Sequence, residues 1–272
     1  MTGENWYPIL TGWLSHHTGL VVSAENEAAV RRFVNARLAQ HGVALVDYLA
    51  LLERDPDERR AFISEATIHE TYFFREEKYF HLLDREILPA FHRINHRLPV
   101  FWSAAAATGE EAFSIALLLR KYWPQINSMQ IIASDIDANS LALISAGGPY
   151  SRNSFRSDGS SLHSLVHTSS TSTEDGVRFD PSLSILIQTR EINLLRDDYQ
   201  KMLPCRPDVI FLCNVLIYMD KVTRERVIAQ AASVLAVDGY LFLSSANTAL
   251  VNCPLLELQN SDRCYYFRRR DQ

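Results

Sequence analysis

The sequence predicts an α/β fold, in which a mostly parallel β-sheet is covered by helices on both faces and preceded by an all-helical N-terminal region. Two observations favour this architecture. From residue 99 onward, short apolar runs of strand length alternate with helix-forming segments, a pattern typical of a parallel-dominated sheet. Before residue 75, apolar side chains recur at helical spacing. At 272 residues, the chain is long enough for a complete α/β core and a smaller accessory domain.

Residues 1–74 are predicted to form a helical N-terminal domain. One helix is marked by four apolar residues at helical spacing, namely Val30, Phe33, Val34 and Leu38. A second helix covers residues 45–53 and ends just before Pro56, because the residue that precedes a proline is disfavoured in the helical conformation.

The rest of the chain divides into a linker helix, residues 75–98, and an α/β domain, residues 99–272. The linker contains a helix over residues 76–93, in which Pro89 predicts a kink or a break. The α/β domain carries an insertion at 151–176 that is rich in serine and threonine and has few apolar anchors. We expect this insertion to be exposed and partly mobile.

Six strands of the α/β domain can be placed from their apolar runs. They are residues 100–103, 130–134, 185–192, 209–213, 240–243 and 264–268. Helices are predicted between them at residues 110–122, 139–146 and 223–235. The last strand follows the others closely enough to return antiparallel to its neighbour at 240–243.

Composition and charge argue against several classes of protein. The net charge of −5 provides no basic field for nucleic acid. The N-terminal residues lack the pattern of a secretion signal, and no apolar run approaches the roughly 18 residues of a membrane span. Four widely spaced cysteines without a CxxC motif are typical of reduced thiols in a cytoplasmic protein.

The turn after the first strand, WSAAAATGEEAF, has the position of a cofactor-binding loop. It contains one glycine, Gly109, and two carboxylates where a dinucleotide-binding loop would have G-x-G-x-x-G. Carboxylates would repel phosphates, so NAD, FAD and ATP are disfavoured, whereas a cofactor with cationic groups is favoured. The next strand ends in SDID, and an acid at that position usually holds a ribose diol, which makes Asp135 or Asp137 the candidate.

Four segments in order resemble the CheR family of chemotaxis receptor methyltransferases. They are HETYFFRE at 69–76, WSAAAATGEEAFSIA at 102–116, INLL at 192–195 and FLCNVLIYMD at 211–220. The resemblance extends from about residue 10 to residue 267. It implies a Rossmann-like class I methyltransferase domain with a mixed, mostly parallel seven-stranded sheet, and a helical N-terminal domain that recognises the substrate.

The resemblance also implies the residues of the site. The residues expected to contact the cofactor are His69, Thr71, Arg75, Glu111, Asp135, Asn193, Leu194, Cys213 and Asn214. Glu110 is a second candidate beside Glu111. Arg75 and Tyr218 would be catalytic, with Tyr218 next to the transferable methyl group. No metal is indicated.

The function implied by the resemblance is methylation of glutamate γ-carboxylates by S-adenosylmethionine. The acceptors would lie on the cytoplasmic coiled coil of methyl-accepting chemotaxis receptors, and the products would be glutamate methyl esters and S-adenosylhomocysteine. The outcome would be chemotactic adaptation. We expect a monomer in the cytoplasm, because nothing in the chain resembles a long coiled-coil segment.

The sequence departs from the family pattern at several positions. His69 stands where the family has asparagine, Ala112 and Phe113 replace Pro-Tyr, Cys213 replaces arginine, and SSAN at 244–247 replaces G-H-S-E. The insertion stands where relatives have a small β subdomain, so docking through a tethering peptide is not expected. Two alternatives therefore stay open: a catalytically weakened S-adenosylmethionine-binding relative, and a Rossmann-like methyltransferase for a small molecule or RNA.

Individual residues also allow simpler roles. Tyr218 lies in an apolar run and is consistent with a packed aromatic side chain. Arg75 can pair with Glu70 or Glu76. An arginine-rich face of the first predicted helix is either a solvated surface or a docking face for acidic receptor helices; its members are Arg31, Arg32 and Arg37.

Overall fold

The computed structural model describes residues 6–95, 97–156, 161–248 and 251–271. Its buried apolar side chains form three clusters, two on opposite faces of a central sheet and one in the N-terminal helices. Neighbouring residues of one strand, Phe101 and Trp102, enter different clusters, because side chains alternate across a sheet. Both faces of the sheet are therefore covered, as predicted.

Four helices form the N-terminal region: α1 (Tyr7–Thr18), α2 (Glu27–His41), α3 (Leu45–Arg54) and α4 (Pro56–Ala66). They enclose their own core, in which Leu14, Val34 and Phe62 are fully buried. Asp55 caps α4 by accepting hydrogen bonds from the backbone N–H groups of Asp57 and Glu58. The predicted helix over residues 45–53 is confirmed and is one residue longer.

The linker is a helical run in which two π-helical turns interrupt the α-helix. The segments are α5 (Glu77–Leu82), a π-helical turn (Leu83–Ile87), α6 (Leu88–Ala90) and a second π-helical turn (Phe91–Asn95). Pro89 lies between these two turns. The predicted disturbance at the proline therefore takes the form of a local change in helical pitch.

The remaining helices are α7 (Glu110–Tyr122), α8 (Ala138–Ala146), α9 (Ser164–Thr168), α10 (Pro181–Ser184), α11 (Tyr199–Met202), α12 (Lys221–Val234) and α13 (Ser245–Thr248). The strands are β1 (Phe101–Ala104), β2 (Ile131–Asp135), β3 (Ser170–Thr173), β4 (Gly176–Phe179), β5 (Ile187–Glu191), β6 (Val209–Leu212), β7 (Tyr240–Leu243), β8 (Leu256–Ser261) and β9 (Cys264–Arg269). The six predicted strands are confirmed within two residues at their ends, whereas the polar strand β8 was not predicted individually.

The central sheet has seven strands in the order β5-β2-β1-β6-β7-β9-β8. The first five strands are parallel, and β9 is antiparallel to both β7 and β8. The chain proceeds from β1 outward through β2 and β5, then returns to place β6 on the other side of β1. This reversal creates a switch point between β1 and β6, where a crevice opens at the carboxyl ends of the strands.

The insertion at 151–176 is more ordered than the sequence predicted. In its described residues, short helical turns precede β3, which pairs with β4 as an antiparallel hairpin. Leu162 and Val166 are buried in the core of the α/β domain. The segment is exposed over much of its described length, including most of β3, as predicted, but it is anchored to the core more firmly than we expected. Low structural order is therefore no ground for excluding peptide docking at the insertion.

Three further features concern the chain as a whole. All four cysteines are free thiols. Within the described residues, no helix combines the length and the apolar character that crossing a bilayer requires. The same residues contain no group of three or more histidine, cysteine, aspartate or glutamate side chains placed to hold a metal ion.

Candidate functional site

A cavity of about 970 Å³ lies at the carboxyl ends of β1, β2 and β6. Its floor is formed by the turns that follow these strands, at 105–107, 135–136 and 213–215. The segment 66–75, which connects α4 to α5, forms one wall, and further residues come from the end of α1. The cavity therefore occupies the switch point of the sheet and is bordered on one side by the helical N-terminal region.

The turn after β1 has an unusual backbone conformation. Ala105 and Ala107 have φ angles of 59° and 46°, a left-handed region that alanine rarely adopts, and Gly109 has a φ of 98°. A Cβ atom at Gly109 would lie 2.5 Å from Cγ1 of Ile144. Glycine is thus required here by close packing of the turn against α8 rather than by the approach of a phosphate.

Asp135, at the tip of β2, faces the cavity. Its carboxylate accepts hydrogen bonds from the backbone N–H groups of Ala107 (2.8 Å) and Asp137 (3.0 Å), and burial raises its pKa. Each carboxylate oxygen retains a lone pair, so Asp135 can still accept hydrogen bonds from a ligand.

Asp137 has a different environment. It caps α8 by accepting hydrogen bonds from the backbone N–H groups of Asn139 and Ser140. Burial tends to raise the pKa of its carboxyl, but contacts with His69 and Ser140 lower it below the usual range. Of the two acids that the sequence left open, only Asp135 lines the cavity.

The two glutamates that begin α7 point in different directions. Glu111 lines the cavity and accepts a hydrogen bond from Ser103 Oγ at 2.6 Å. Burial raises the pKa of Glu111 to about 7, although Ser103 and the charge of Arg75 lower it in part. Glu110 instead accepts hydrogen bonds from Ser154 and Thr108, on the side of the insertion.

Arg75 and Tyr218, the predicted catalytic pair, both line the cavity together with Thr71. The Arg75 guanidinium donates a hydrogen bond to the backbone carbonyl of Glu70, and within the described chain it forms no ion pair with a carboxylate. Tyr218 belongs to a 3₁₀ turn after β6, and its hydroxyl has no hydrogen-bond partner among the described residues. Two polar groups are thus available to a substrate.

Three more predicted residues line the cavity: Leu194, Cys213 and Asn214. Asn214 has a left-handed backbone with a φ of 59°. The Cys213 thiol lies 3.7 Å from the carbonyl oxygen of Phe242, and burial raises its pKa well above the usual value. Cys213 is therefore a neutral, buried thiol and is not a nucleophile.

His69 and Asn193 do not line the cavity, and their contact with the cofactor stays a prediction. Nε2 of His69 lies 3.0 Å from Oδ2 of Asp137; burial tends to lower the histidine pKa, but this carboxylate raises it. Asn193 donates from Nδ2 to the backbone carbonyl of His17 at 2.7 Å. The nearest polar partners of these two side chains are thus protein groups outside the cavity lining.

Part of the cavity comes from the N-terminal region and was not predicted from the sequence. Thr18, Leu20 and Val21 line it, and the Val21 N–H donates to the carbonyl of Tyr218 at 2.8 Å. Gly19 ends α1 with a φ of 75°, and a Cβ atom there would lie 2.8 Å from Cγ2 of Thr223. The Thr-Gly pair at the end of α1 is the sequence signal for this close approach.

The predicted arginine face of α2 is largely engaged inside the N-terminal region. Arg37 forms hydrogen bonds with the buried carboxylate of Glu58. Arg31 pairs with Glu27 at 2.8 Å and lies 3.9 Å from the ring centroid of Tyr7. The face is thus less available for docking than its sequence suggests, and Arg32 is its exposed member.

The residues of the cavity fit a cationic nucleoside cofactor. Three of its lining side chains are carboxylates, Glu70, Glu111 and Asp135, against one arginine. Two of these acids are largely withdrawn from water, which strengthens their attraction for a cation. The same acids would repel a pyrophosphate.

The comparison with known families agrees with this chemistry. Residues 69–258 match the family described as "CheR methyltransferase, SAM binding domain". The chain belongs to the CheR methyltransferase family. The resemblance seen in the sequence is confirmed, and with it the Rossmann-like class I methyltransferase fold and S-adenosylmethionine as the cofactor.

Several relatives extend the similarity over most of the chain. It is 35% identical over 229 residues to a chemotaxis protein methyltransferase of Klebsiella aerogenes, which covers 82% of this chain and 76% of that protein. It is 33% identical over 201 residues to chemotaxis protein methyltransferase 2 of Pseudomonas aeruginosa, with coverages of 73% and 70%. The chemotaxis protein methyltransferase of Escherichia coli is 32% identical, with coverages of 78% and 72%.

Proposed function

We propose that this CheR family member transfers a methyl group from S-adenosylmethionine to glutamate side chains on the cytoplasmic domain of chemotaxis receptors. The observation that carries the proposal is the cavity itself, which is lined by two acids, the half-buried Glu111 and the buried Asp135, together with Arg75 and Tyr218. The names of the relatives, chemotaxis protein methyltransferases, support a role in chemotaxis.

The acids would hold the cofactor. Asp135 would accept hydrogen bonds from the ribose hydroxyls, because it lies at the tip of β2, the usual place for such an acid in this type of sheet. Glu111 would bind a positively charged group of the cofactor. When bound, S-adenosylmethionine supplies the methyl group and keeps the electron pair of the broken carbon–sulfur bond on sulfur.

Arg75 and Tyr218 would position the acceptor. A glutamate carboxylate with a pKa near 4.3 is already ionised at neutral pH, so the enzyme needs no general base. Its oxygen forms the new bond to the methyl carbon and gives a glutamate methyl ester. The contribution of the protein is then alignment, with the acceptor oxygen about 3–3.5 Å from the methyl carbon and in line with the bond that breaks.

The two side chains are suited to that alignment. The planar guanidinium of Arg75 can hold a carboxylate through two parallel hydrogen bonds. The Tyr218 hydroxyl is without a partner in the described chain and can donate to the same carboxylate. Burial raises the pKa of Tyr218, so the hydroxyl stays protonated and keeps its donor.

A catalytically weakened relative is the second candidate, because Cys213 replaces an arginine of the family pattern inside the cavity. The other departures have less bearing on the site. His69 contacts Asp137, Asn247 donates to Ser244 Oγ at 2.8 Å, and none of His69, Ser244 and Asn247 lines the cavity. This distribution favours an active enzyme.

Transfer of tritium from methyl-labelled S-adenosylmethionine to receptor-containing membranes tests the proposal. A glutamate methyl ester releases volatile labelled methanol in mild alkali, whereas amide and amine methylation does not. We expect alkali-labile label with the wild-type enzyme and almost none with Arg75→Ala, at equal melting temperature. Label that resists alkali would contradict the proposed acceptor, and S-adenosylhomocysteine binding without any transfer would favour the weakened relative.

A further inference from the structure

An exposed arginine of the insertion lies beside the mouth of the cavity. The guanidinium carbon of Arg156 stands 4.6 Å from the ring centroid of Tyr72, and that of Arg75 stands 5.6 Å from the same centroid. Adding these distances places the two guanidiniums no more than about 10 Å apart, held against one aromatic ring by cation–π attraction. Arg75 lines the cavity, whereas the side chain of Arg156 is 56% exposed.

The first part of the insertion, residues 151–156, holds Arg156 near Arg75; we call this part the stem. The ring of Phe155 stacks on Phe73, with centroids 4.7 Å apart. The Phe73 N–H donates to the carbonyl of Ser154 at 2.9 Å, and Ser154 Oγ donates to Glu110 at 2.9 Å. The backbone just before Arg156 is thus attached to the segment 66–75, which ends in Arg75.

Arg156, the more exposed of the two arginines, already pairs with a carboxylate of the protein. One oxygen of Glu70 lies 3.4 Å from both terminal nitrogens of Arg156, and the Glu70 side chain is 57% exposed. An exposed pair with such long contacts contributes little stability and is easily exchanged for another carboxylate. The backbone carbonyl of Glu70 meanwhile accepts a hydrogen bond from Arg75, so this residue connects the two arginines.

From this arrangement we infer that Arg156 and Tyr72 form a second anion site, which binds an acidic side chain of the substrate one helical turn away from the methyl acceptor. The inference rests on the proposed function, in which Arg75 holds the acceptor. Side chains four residues apart on a helix have Cβ atoms about 5–6 Å apart, and two glutamates can extend from there to arginines up to about 10 Å apart. Glu70 is then the internal competitor that the substrate displaces.

The inference is tested with a soluble cytoplasmic fragment of a chemotaxis receptor that carries one acceptor glutamate. Two forms are compared, with glutamate or glutamine four residues from the acceptor. With the glutamate form, Arg156→Ala should lower kcat/KM about fivefold through KM, the size of effect expected for one exposed charge pair. With the glutamine form, Arg156→Ala should have no effect.

Two further variants sharpen the comparison. Measured at saturating S-adenosylmethionine, so that any effect of Glu70 on the cofactor is excluded, Glu70→Gln removes the competing carboxylate and should raise kcat/KM for the glutamate form about twofold. Arg152→Ala removes another exposed arginine from the same stem and should match the wild type on both forms. The Kd for S-adenosylhomocysteine should be the same in the wild type and in Arg156→Ala.

A loss of activity in Arg156→Ala that is equal on both forms of the fragment would overturn the inference, because it would indicate a structural role. Equal activity of Arg156→Ala and the wild type on the glutamate form would also overturn it. These results leave the proposed function intact. If the wild-type enzyme methylates neither form, the proposed function fails and the second anion site fails with it.

Discussion

Replacing Glu111 with glutamine tests how the cavity recognises a cation. Burial raises the pKa of this carboxyl to about 7, so the side chain is partly protonated in the free enzyme at neutral pH. A bound cationic cofactor favours the ionised form. Binding must therefore release protons, and the affinity must fall as the pH is lowered through 7.

The size of the effect follows from that pKa. Binding should release about half a proton at pH 7 and about 0.9 proton at pH 6, and the apparent Kd should rise about fivefold between these two values. The amino group of the cofactor titrates near pH 8, so measurements below pH 7 keep its contribution small. Glu111→Gln should bind more weakly and should show neither proton release nor pH dependence from this site.

The assay is isothermal titration of S-adenosylmethionine at each pH in two buffers with different ionisation enthalpies. Glu110→Gln is the matched control, because Glu110 is the adjacent carboxyl and lies outside the cavity lining. It should retain the proton release. If Glu111→Gln released as many protons as the wild type, or if the wild-type Kd were constant from pH 6 to pH 7, the assignment of Glu111 would be refuted.

The same pKa has a consequence for stability. Because the folded protein raises the pKa of Glu111, the stability associated with its neutral form is lost as the pH rises through about 7. Without cofactor, Glu111→Gln should therefore be more stable than the wild type at pH 8, by up to about 3 kcal/mol. The difference should fall to about 1 kcal/mol at pH 5 and nearly vanish at pH 4, below the pKa of the unfolded carboxyl, and a constant difference would contradict this linkage.

Three other substitutions have defined outcomes. Tyr218→Phe should lower kcat about tenfold, for the loss of one hydrogen bond to a charged acceptor, without changing the Kd for S-adenosylhomocysteine; an unchanged kcat would show that Tyr218 only packs. Gly109→Ala should cost about 2–3 kcal/mol in denaturant unfolding, because Ile144 blocks a Cβ atom; a cost near zero would contradict the packing argument. Glu58→Gln should cost about 3 kcal/mol at pH 7 because it leaves Arg37 without its buried partner. The pKa of Glu58 is lowered to about 2, so this difference should shrink as the pH falls from about 4.5 toward 2, and a pH-independent difference would refute it.

The sequence predicted the sheet and its order of elements because those depend on local patterns. The strands β1, β2, β6 and β7 are short, and their residues are fully or largely buried. Each therefore appears in the sequence as a short apolar run, which can be recognised without knowledge of its neighbours in the fold. The polar strand β8 has no such pattern. It exists because β9 offers it a hydrogen-bonding edge, which is a non-local condition.

The choice between neighbouring acids could not be made from sequence. Asp135 and Asp137 follow the same strand, and Glu110 and Glu111 begin the same helix. In each pair, one acid lines the cavity because the other has different hydrogen-bond partners. Asp137 caps α8, and Glu110 accepts hydrogen bonds from Ser154 and Thr108. Ser154 is distant from Glu110 in the sequence, and the capping role of Asp137 depends on the residue at which α8 begins. Neither can be read from the local sequence.

The errors have the same origin. Leu162 and Val166 attach the insertion to the core. They stand among many serine and threonine residues, so the sequence shows no apolar pattern there. His69 was assigned to the cofactor from a motif position, whereas the structure places its Nε2 3.0 Å from Oδ2 of Asp137 and outside the cavity lining. The contribution of α1 to the cavity depends on how the N-terminal region docks, through contacts such as that between Val21 and Tyr218.

A crystal structure of the enzyme with S-adenosylhomocysteine tests the central claim most directly. We expect the adenosyl group in the cavity at the carboxyl ends of β1, β2 and β6, the ribose hydroxyls within hydrogen-bond distance of Asp135, and the amino group beside Glu111. The sulfur should face the space between Arg75 and Tyr218. A product bound elsewhere, or bound in the cavity with its sulfur turned away from both side chains, would contradict the account.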